Sequence, residues 1–280
     1  MKKDKIIIAE RDGELLEYLR EALSQTPHGK IKSYLTHRQI SVDGEVTTKY
    51  NFGIKAGQTI KISENGGALP VRGIETIYED DCLLAVNKPA GLLAVATEQE
   101  KIRTAYSRLR EHRRGDIFVV HRLDRDTSGV LLFAKERSVK EELQESWNDI
   151  VFLREYLAIC EGVFEEKRGR CDTYLSENSA HVVYSARQGK RAVTNYEVLS
   201  DNGLYSLVKI SLETGRKNQI RVHMKELSHP VVGDKKYGTC SNPIGRLGLH
   251  AQRLGFIHPV TGKKVIITAK ADSKFRLPKK

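Results

Sequence analysis

His121-Arg122-Leu123-Asp124-Arg125-Asp126-Thr127-Ser128-Gly129-Val130 is the stretch around which the rest of the chain is organised. Ile117-Phe118-Val119-Val120 precedes it, and Val130-Leu131-Leu132-Phe133-Ala134 continues from it. Both runs are short, apolar and rich in β-branched or aromatic residues, the pattern of buried strands. Two carboxylates, two guanidiniums, an imidazole and two hydroxyls therefore sit in a loop between two strands. A polar loop held by rigid neighbours is a common seat of chemistry. The competing reading is a salt-bridged turn in which Asp126, Thr127, Ser128 and Gly129 make the bend. On these residues alone both readings stay open.

The chain of 280 residues is long enough for one large domain, or for a large one and a small one. Hydrophobic residues, at 39%, can supply a core, which argues against wholesale disorder. A net charge of +11 favours a polyanionic partner, with nucleic acid ahead of a membrane surface, although a merely basic protein would carry it too. Cys82, Cys160, Cys171 and Cys240 form no C-x-x-C pair, so no structural metal site is expected. The apolar run Ile6-Ile7-Ile8 is too short for a signal peptide, and no span reaches the length of a membrane helix. A cytoplasmic protein with reduced thiols is the expectation.

Toward the N-terminus, Leu15, Leu16, Leu19, Ala22 and Leu23 fall on one face of a helix over Glu14 to Leu23. A second helix is predicted over Lys30 to Gln39, with Ile31, Tyr34 and Leu35 inward and Lys30, Lys32, His37 and Arg38 on the other face. Asp43-Gly44 between Ile40-Ser41-Val42 and Val46-Thr47 signals a hairpin. A turn at Lys55 to Gln58 then leads into a strand, Thr59 to Ile62. Residues 65–73 are rich in Gly and Pro and read as a linker.

From Ile74 onward, strands are predicted at Ile74–Tyr78, Leu83–Asn87, Leu153–Cys160, Arg191–Leu199, Leu204–Leu212 and Val265–Ala269. Helices are predicted at Ile102–His112 and Ser138–Asn148. Lys88-Pro89-Ala90-Gly91 reads as a turn exposing its lysine. The regular β-α-β alternation of a doubly wound fold is absent. The fold class expected is α+β, a mixed, largely antiparallel sheet with flanking helices. Thr214 to Met224 crowds cations between a strand and a helix, where an anion could bind or where the charges could simply face solvent. Tyr156 falls on a strand, a place where a tyrosine is usually core or sheet surface. His250 and His258 lack metal-ligand spacing and read as structural.

Two resemblances sharpen these readings. The helix, basic helix, hairpin and strand over roughly residues 12–64, above all Arg38-Gln39-Ile40-Ser41-Val42-Asp43-Gly44-Glu45-Val46, resemble the S4 RNA-binding module. That resemblance implies that Lys30, Lys32 and Arg38 meet the RNA backbone, by contacts that position rather than specify. Gly13-Glu14-Leu15 departs from the Arg-Leu-Asp common at its start, and a solvated helix face is the alternative for these charges. Further on, Lys88-Pro89-Ala90-Gly91, His121-Arg122-Leu123-Asp124 with Asp126-Thr127-Ser128-Gly129, Gly215-Arg216 and Gln219-Ile220-Arg221-Val222-His223 follow in order. Together with Arg154-Glu155-Tyr156 and the stretch from His250 to Gly262, they resemble the RluA family of RNA pseudouridine synthases over about residues 74–270.

This resemblance implies a module at 1–66, a linker at 67–73 and a catalytic domain at 74–280. It implies isomerisation of uridines in RNA to pseudouridine without cofactor or metal. Ribosomal RNA of the large subunit ranks first as substrate and transfer RNA second, with a monomer as the default state and no membrane involved. Asp124 matches the catalytic aspartate, Arg221 the arginine paired with it, and Tyr156 the tyrosine stacked on the target base. Arg122 matches the arginine inserted where the flipped base was. Lys88 belongs to a motif read as support for fold and pocket. The chemistry suits these residue types, because breaking the bond to C1′ builds positive character on the sugar. A nearby carboxylate can stabilise that charge or attack it. Asn218, where histidine is common, and Arg154, where lysine is common, are departures that spare Asp124, Tyr156 and Arg221.

Two rival readings stand beside this one. Asp124-Arg125-Asp126-Thr127 hints at a phosphatase with an aspartate nucleophile, but it lacks the spacer before the threonine, and Gly233-Asp234 has no acid close by in sequence. A non-catalytic RNA-binding or ribosome-assembly protein retaining the fold is the other.

Overall fold

The computed structural model describes residues 5–36, 39–47, 49–62, 74–96, 104–113, 115–239 and 241–278. Arg38 and the predicted linker at 67–73 lie outside them. The chain separates into two units, Met1–Val71 with Arg108–Gly115, and Arg72–Ser107 with Asp116–Lys280. Among the described residues no helix is long and apolar enough to cross a membrane.

The smaller unit runs β1 (Lys5–Ile8), β2 (Gly13–Glu14), α1 (Leu15–Ala22), α2 (His28–Thr36), β3 (Ile40–Val42), β4 (Glu45–Val46), β5 (Gly53–Ile54) and β6 (Thr59–Ile62). One sheet has the order β1-β6-β3-β4, and β2 pairs with β5. As the spacing predicts, α1 buries Leu15 and Leu19, and α2 buries Ile31, Tyr34 and Leu35, against Ile40, Val42, Ile54, Ile60 and Ile62. Asp43 (φ +50°) and Gly44 (φ +86°) take the left-handed conformations that a two-residue hairpin of matching twist demands. Strand β1 was not anticipated: its three isoleucines pair with β6, although Ile6 and Ile8 stay exposed.

The remaining elements are β7 (Glu75–Glu79), β8 (Leu83–Lys88), α3 (Ala105–His112), β9 (Phe118–Val119), β10 (Ser128–Ala134), α4 (Arg137–Glu145), α5 (Trp147–Ile150), β11 (Val151–Glu161), β12 (Arg168–Glu177), β13 (Val183–Ala186), β14 (Lys190–Asp201), β15 (Tyr205–Leu212), α6 (Gln219–Glu226), β16 (Leu249–Ile257) and β17 (Lys264–Thr268). The described strands of the larger unit form one sheet, in the order β13-β12-β14-β15-β11-β16-β10-β8-β7, with β17 beside β16 and β9 beside β10. Neighbours are antiparallel except β10 and β16, which run parallel. This is the α+β, mixed and largely antiparallel arrangement that the sequence predicts.

All seven residues of β10 are buried, which is why its sequence reads as a continuous apolar run. Ser128 and Gly129 belong to this strand and not to the bend. The bend lies one step earlier, at Asp124–Thr127, where the Thr127 amide donates to the Asp124 carbonyl at 3.3 Å. The helix predicted over 138–148 stops at Glu145 and restarts at Trp147. Strands β12, β13 and β16 were not predicted. In β12 only Leu175 is buried, so alternation is faint. In β16, His250, Gln252, Arg253 and Gly255 interrupt any apolar pattern, yet the strand lies between β10 and β11.

Candidate active site

Strands β10, β16 and β11 lie side by side, and this order assembles the site. Ala251 of β16 is the register partner of Gly129 on one side and of Tyr156 on the other. A bulge shifts the β11–β16 register between Glu155 and Tyr156, and bulges re-aim the side chains beside them. The loop before β10 thereby meets the middle of β11. The N-terminal end of α6 completes a cavity of about 380 Å³, lined by Arg122, Asp124, Tyr156, Arg216, Asn218 and Arg221 among others. That volume lies within the range of small-ligand sites.

Asp124 is half-buried, with its Oδ2 3.6 Å from Arg221 Nη1. Arg221 has a second, closer carboxylate. Its Nε and Nη2 donate to Asp234 Oδ2 and Oδ1, each at 2.7 Å, and its Nη1 donates to Asn218 Oδ1 at 2.8 Å. The Asp234 side chain is fully buried. Burial alone would raise its pKa, but Arg221 and the amides of Tyr237 and Lys236 hold it below the ordinary range. Arg221 thus lies near Asp124 but bonds Asp234, a partner that the sequence reading missed. Its only local signal was the Gly233-Asp234 turn.

Asn218, the residue before α6, sits at φ +55°, a left-handed conformation that asparagine tolerates. Its Nδ2 donates to the Tyr237 hydroxyl at 3.1 Å. Buried Gln219 then pins the loop. Its Oε1 accepts from Thr214 Oγ1 and the Arg216 amide, and its Nε2 donates to Val193 O and Thr194 Oγ1. The exposed cations of this loop, Arg216 and Lys217, remain at the rim of the cavity.

Lys88 corrects an expectation: it is wholly buried, not displayed by a turn. Its ammonium donates to the carbonyls of Pro89 (3.0 Å), Leu92 (2.7 Å) and Arg125 (2.9 Å), tying β8 to the Asp124 loop. Three carbonyls take the three ammonium protons, and the Gly91 amide also donates to Arg125 O, at 3.0 Å. Burial pushes the lysine down to about 7, against the pull of Asp126 and Asp124. The role read from sequence, support of fold and pocket, has this geometry.

His121 anchors the other end of the loop. Its Nε2 accepts from the Leu132 amide at 3.0 Å, and its ring lies 5.1 Å from that of Trp147. Burial, with a smaller contribution from the Arg154 charge, pushes its pKa from 6.5 down to about 4. The folded imidazole is therefore neutral where an unfolded one would take a proton. The sign follows: stability is lost as pH falls from 6.5 towards 4, because the unfolded chain binds the extra proton. Trp147 is the single tryptophan. Its fluorescence is expected to stay flat from pH 7.5 to about 5 and to change only near 4. In His121→Gln that late transition should vanish, while a midpoint near 6.5 in the wild type would contradict the burial described here.

Burial and the Asp124 charge push Tyr156 up to about 12, so it faces the cavity as a neutral phenol. Arg122 is exposed at the cavity edge. Lys32 is exposed on α2, and Lys30 lies in the same helix. The two histidines read as structural are both buried. His250 bonds Ser128 Oγ at 2.8 Å and Ala269 O at 3.1 Å. His258 meets Asp80 (3.0 Å) and Cys82 Sγ (3.5 Å), a trio that could pass for metal ligands. His258 Nδ1, however, accepts the amides of Val260 and Thr261. Its proton therefore resides on Nε2 and is donated to Asp80, which leaves no lone pair there for a cation.

The sequence pattern of the RNA pseudouridylate synthase family matches residues 82–226. Across nearly its whole length the chain is similar to the uncharacterized RNA pseudouridine synthase YhcT of Bacillus subtilis, at 32% identity over 94% of this chain and 92% of that one. It is 37% identical to tRNA pseudouridine synthase C of Haemophilus ducreyi, over 73% of this chain and 93% of the other. It is 34% identical to ribosomal large subunit pseudouridine synthase D of Zymomonas mobilis, over 73% and 71%. With the match spanning more than half of the chain and the relatives covering more, this protein belongs to the RluA-type RNA pseudouridine synthases, isomerases that convert uridine in RNA to pseudouridine.

Proposed function

We propose that Asp124 is the catalytic carboxylate of this isomerase and that its substrate is ribosomal RNA of the large subunit. The observation that carries the first part is the convergence of Asp124, Arg221 and Tyr156 on one cavity, with Asp124 3.6 Å from a guanidinium. A carboxylate beside C1′ opposes the positive charge that builds on the ribose when the N1–C1′ bond breaks. Tyr156 offers its ring to the uracil, and Arg122 fills the gap left in the stack when the nucleotide turns out, a step costing a few kcal/mol. Arg216 and Lys217 supply phosphate contacts around the opening.

The preference for ribosomal RNA rests on the S4-like order of the unit at 1–66, joined through 67–73 to the catalytic domain at 74–280, and on the large-subunit enzyme among the relatives. The tRNA enzyme among them keeps transfer RNA as the second reading. The enzyme acts as a monomer in this reading. The test is incubation with large-subunit ribosomal RNA and, separately, with bulk transfer RNA, followed by nucleotide-resolution mapping of pseudouridine. New pseudouridines in the ribosomal RNA alone are expected, and modification of transfer RNA alone would overturn the assignment.

Lys30, Lys32 and Arg38 contact the RNA backbone in this account. Replacing all three by alanine is expected to weaken RNA binding about tenfold or more. The slope of log affinity against log salt should fall by about 2 to 3, at slightly under one unit per phosphate contact. The maximal rate should stay within about twofold.

A further inference from the structure

Two carboxylates share one guanidinium in this site, and they share it unequally. Asp234 takes the Nε–Nη2 edge of Arg221 as a two-bond fork at 2.7 Å, the strongest geometry the pair can form. Asp124 is left with Nη1 at 3.6 Å, beyond hydrogen-bond length. Asp234 is itself held rigidly. Its Oδ1 also accepts the amides of Lys236 and Tyr237, each at 2.9 Å, and its side chain is closed to solvent. Gly233 before it stands at φ +70°, where a Cβ would meet the Arg246 carbonyl oxygen at 2.2 Å. On the remaining side, Asn218 Oδ1 holds Nη1, and the Tyr237 ring lies 5.0 Å from the guanidinium carbon.

We propose that Asp234 is a positioning residue for the isomerisation: by occupying the forked edge of Arg221, it keeps that guanidinium from closing on Asp124. The Asp124 oxygens thus stay near a positive charge yet free to face the ribose. This inference rests on the reading of Asp124 as the catalytic carboxylate. It also explains why so strong a cation next to the catalytic group does not neutralise it. The second carboxylate offsets the cation, and a fork on Asp124 would tie up both of the oxygens that the sugar needs.

The charged and titratable groups around Asp124 are Arg221 from α6, Lys88 from β8, Tyr156 from β11, and Arg122, Arg216 and Lys217 along the same cavity. Of these, Arg221 is the one bonded to Asp234. In Asp234→Asn, the amide NH2 cannot accept from the guanidinium, so one arm of the fork is lost, and the competing negative charge goes with it. Arg221 then turns towards Asp124. Both effects draw the guanidinium onto the Asp124 oxygens, from 3.6 Å to within hydrogen-bond length.

The experiment determines crystal structures of the full-length variants and reads the distance between Arg221 and Asp124, alongside kcat and KM. Asp124→Asn serves as the control for the catalytic reading. Asp234→Asn is expected to lower kcat about 10- to 100-fold, with KM within about threefold. Asn218→Ala, which frees Nη1 while leaving Asp234 in place, should let Arg221 approach Asp124 by a smaller amount, and it carries the test should Asp234→Asn not fold. A fall in kcat with Arg221 no closer to Asp124 would mean that Asp234 is only structural and would overturn the proposal. So would wild-type kcat in Asp234→Asn. Should Asp124→Asn itself retain turnover, the catalytic reading falls first, and that result is separate from either outcome for Asp234.

Discussion

Asp124→Asn is expected to reduce pseudouridine formation at least about 10³-fold, equivalent to ~4 kcal/mol of lost transition-state stabilisation. The variant keeps the size of the side chain and one acceptor oxygen. It removes the negative charge and the nucleophilic oxygen, the two properties that bond breaking at C1′ calls on. RNA affinity should stay within about threefold, because the cations proposed to meet phosphate are other residues: Arg216 and Lys217 at the cavity rim, and those on the α2 face of the smaller unit. The measurement is single-turnover conversion of a uridine-containing substrate, with binding determined separately on the same RNA. Turnover within tenfold of wild type would remove Asp124 from the chemistry and return the loop to the salt-bridged turn that its composition also allowed.

Gly129→Ala is expected to destabilise the larger unit by more than about 4 kcal/mol, enough to prevent folding of a marginal domain. Two costs add. Gly129 has φ +117°, a conformation that residues with a Cβ rarely adopt. An added Cβ would also lie 2.1 Å from the carbonyl oxygen of Ala251 and 2.7 Å from its carbonyl carbon. Neither strand can give way cheaply. Ser128 Oγ is held by His250 Nδ1 at 2.8 Å and by Arg246 Nη2 at 2.6 Å, and Ala251 is the register partner of both Gly129 and Tyr156. Urea unfolding of the variant reads the cost directly. A loss below about 1 kcal/mol would mean that β10 and β16 do not approach as described, and with them would go the juxtaposition of Asp124 and Tyr156.

Much of the site was legible before any coordinates. The loop between two buried strands, the cation-rich entry to α6 and the tyrosine on β11 are local features, and local features leave a trace in residue order. The apolar run at 130–134 announced β10 because a strand buried along its whole length in a sheet must be apolar along that length. The hairpin at Asp43-Gly44 was legible because only a few residue types accept its backbone angles. Asp234 was not legible as a partner of Arg221. A charged residue thirteen positions downstream, in a glycine-bounded loop, looks like any solvated turn until the chain folds it against α6. Lys88 misled for a related reason. A lysine beside Pro-Ala-Gly has every local mark of exposure, and only three converging carbonyls, one of them 37 residues away, explain its burial.

The sequence by itself carried the motifs, in order from Lys88 to His223, whose family resemblance implied the reaction class and the candidate carboxylate, and it marked the strands whose cores are continuous, since such motifs and runs are features of residue order. Tertiary structure decided the rest. It inserted β16, a strand of mixed polarity, between β10 and β11, and so brought residues 124 and 156 to one cavity. It divided one guanidinium between two carboxylates, and it turned a lysine inward. Those outcomes depend on backbone pairing and on desolvated charges finding partners far along the chain, and the energy of such contacts is set by distance in space, which no local pattern records.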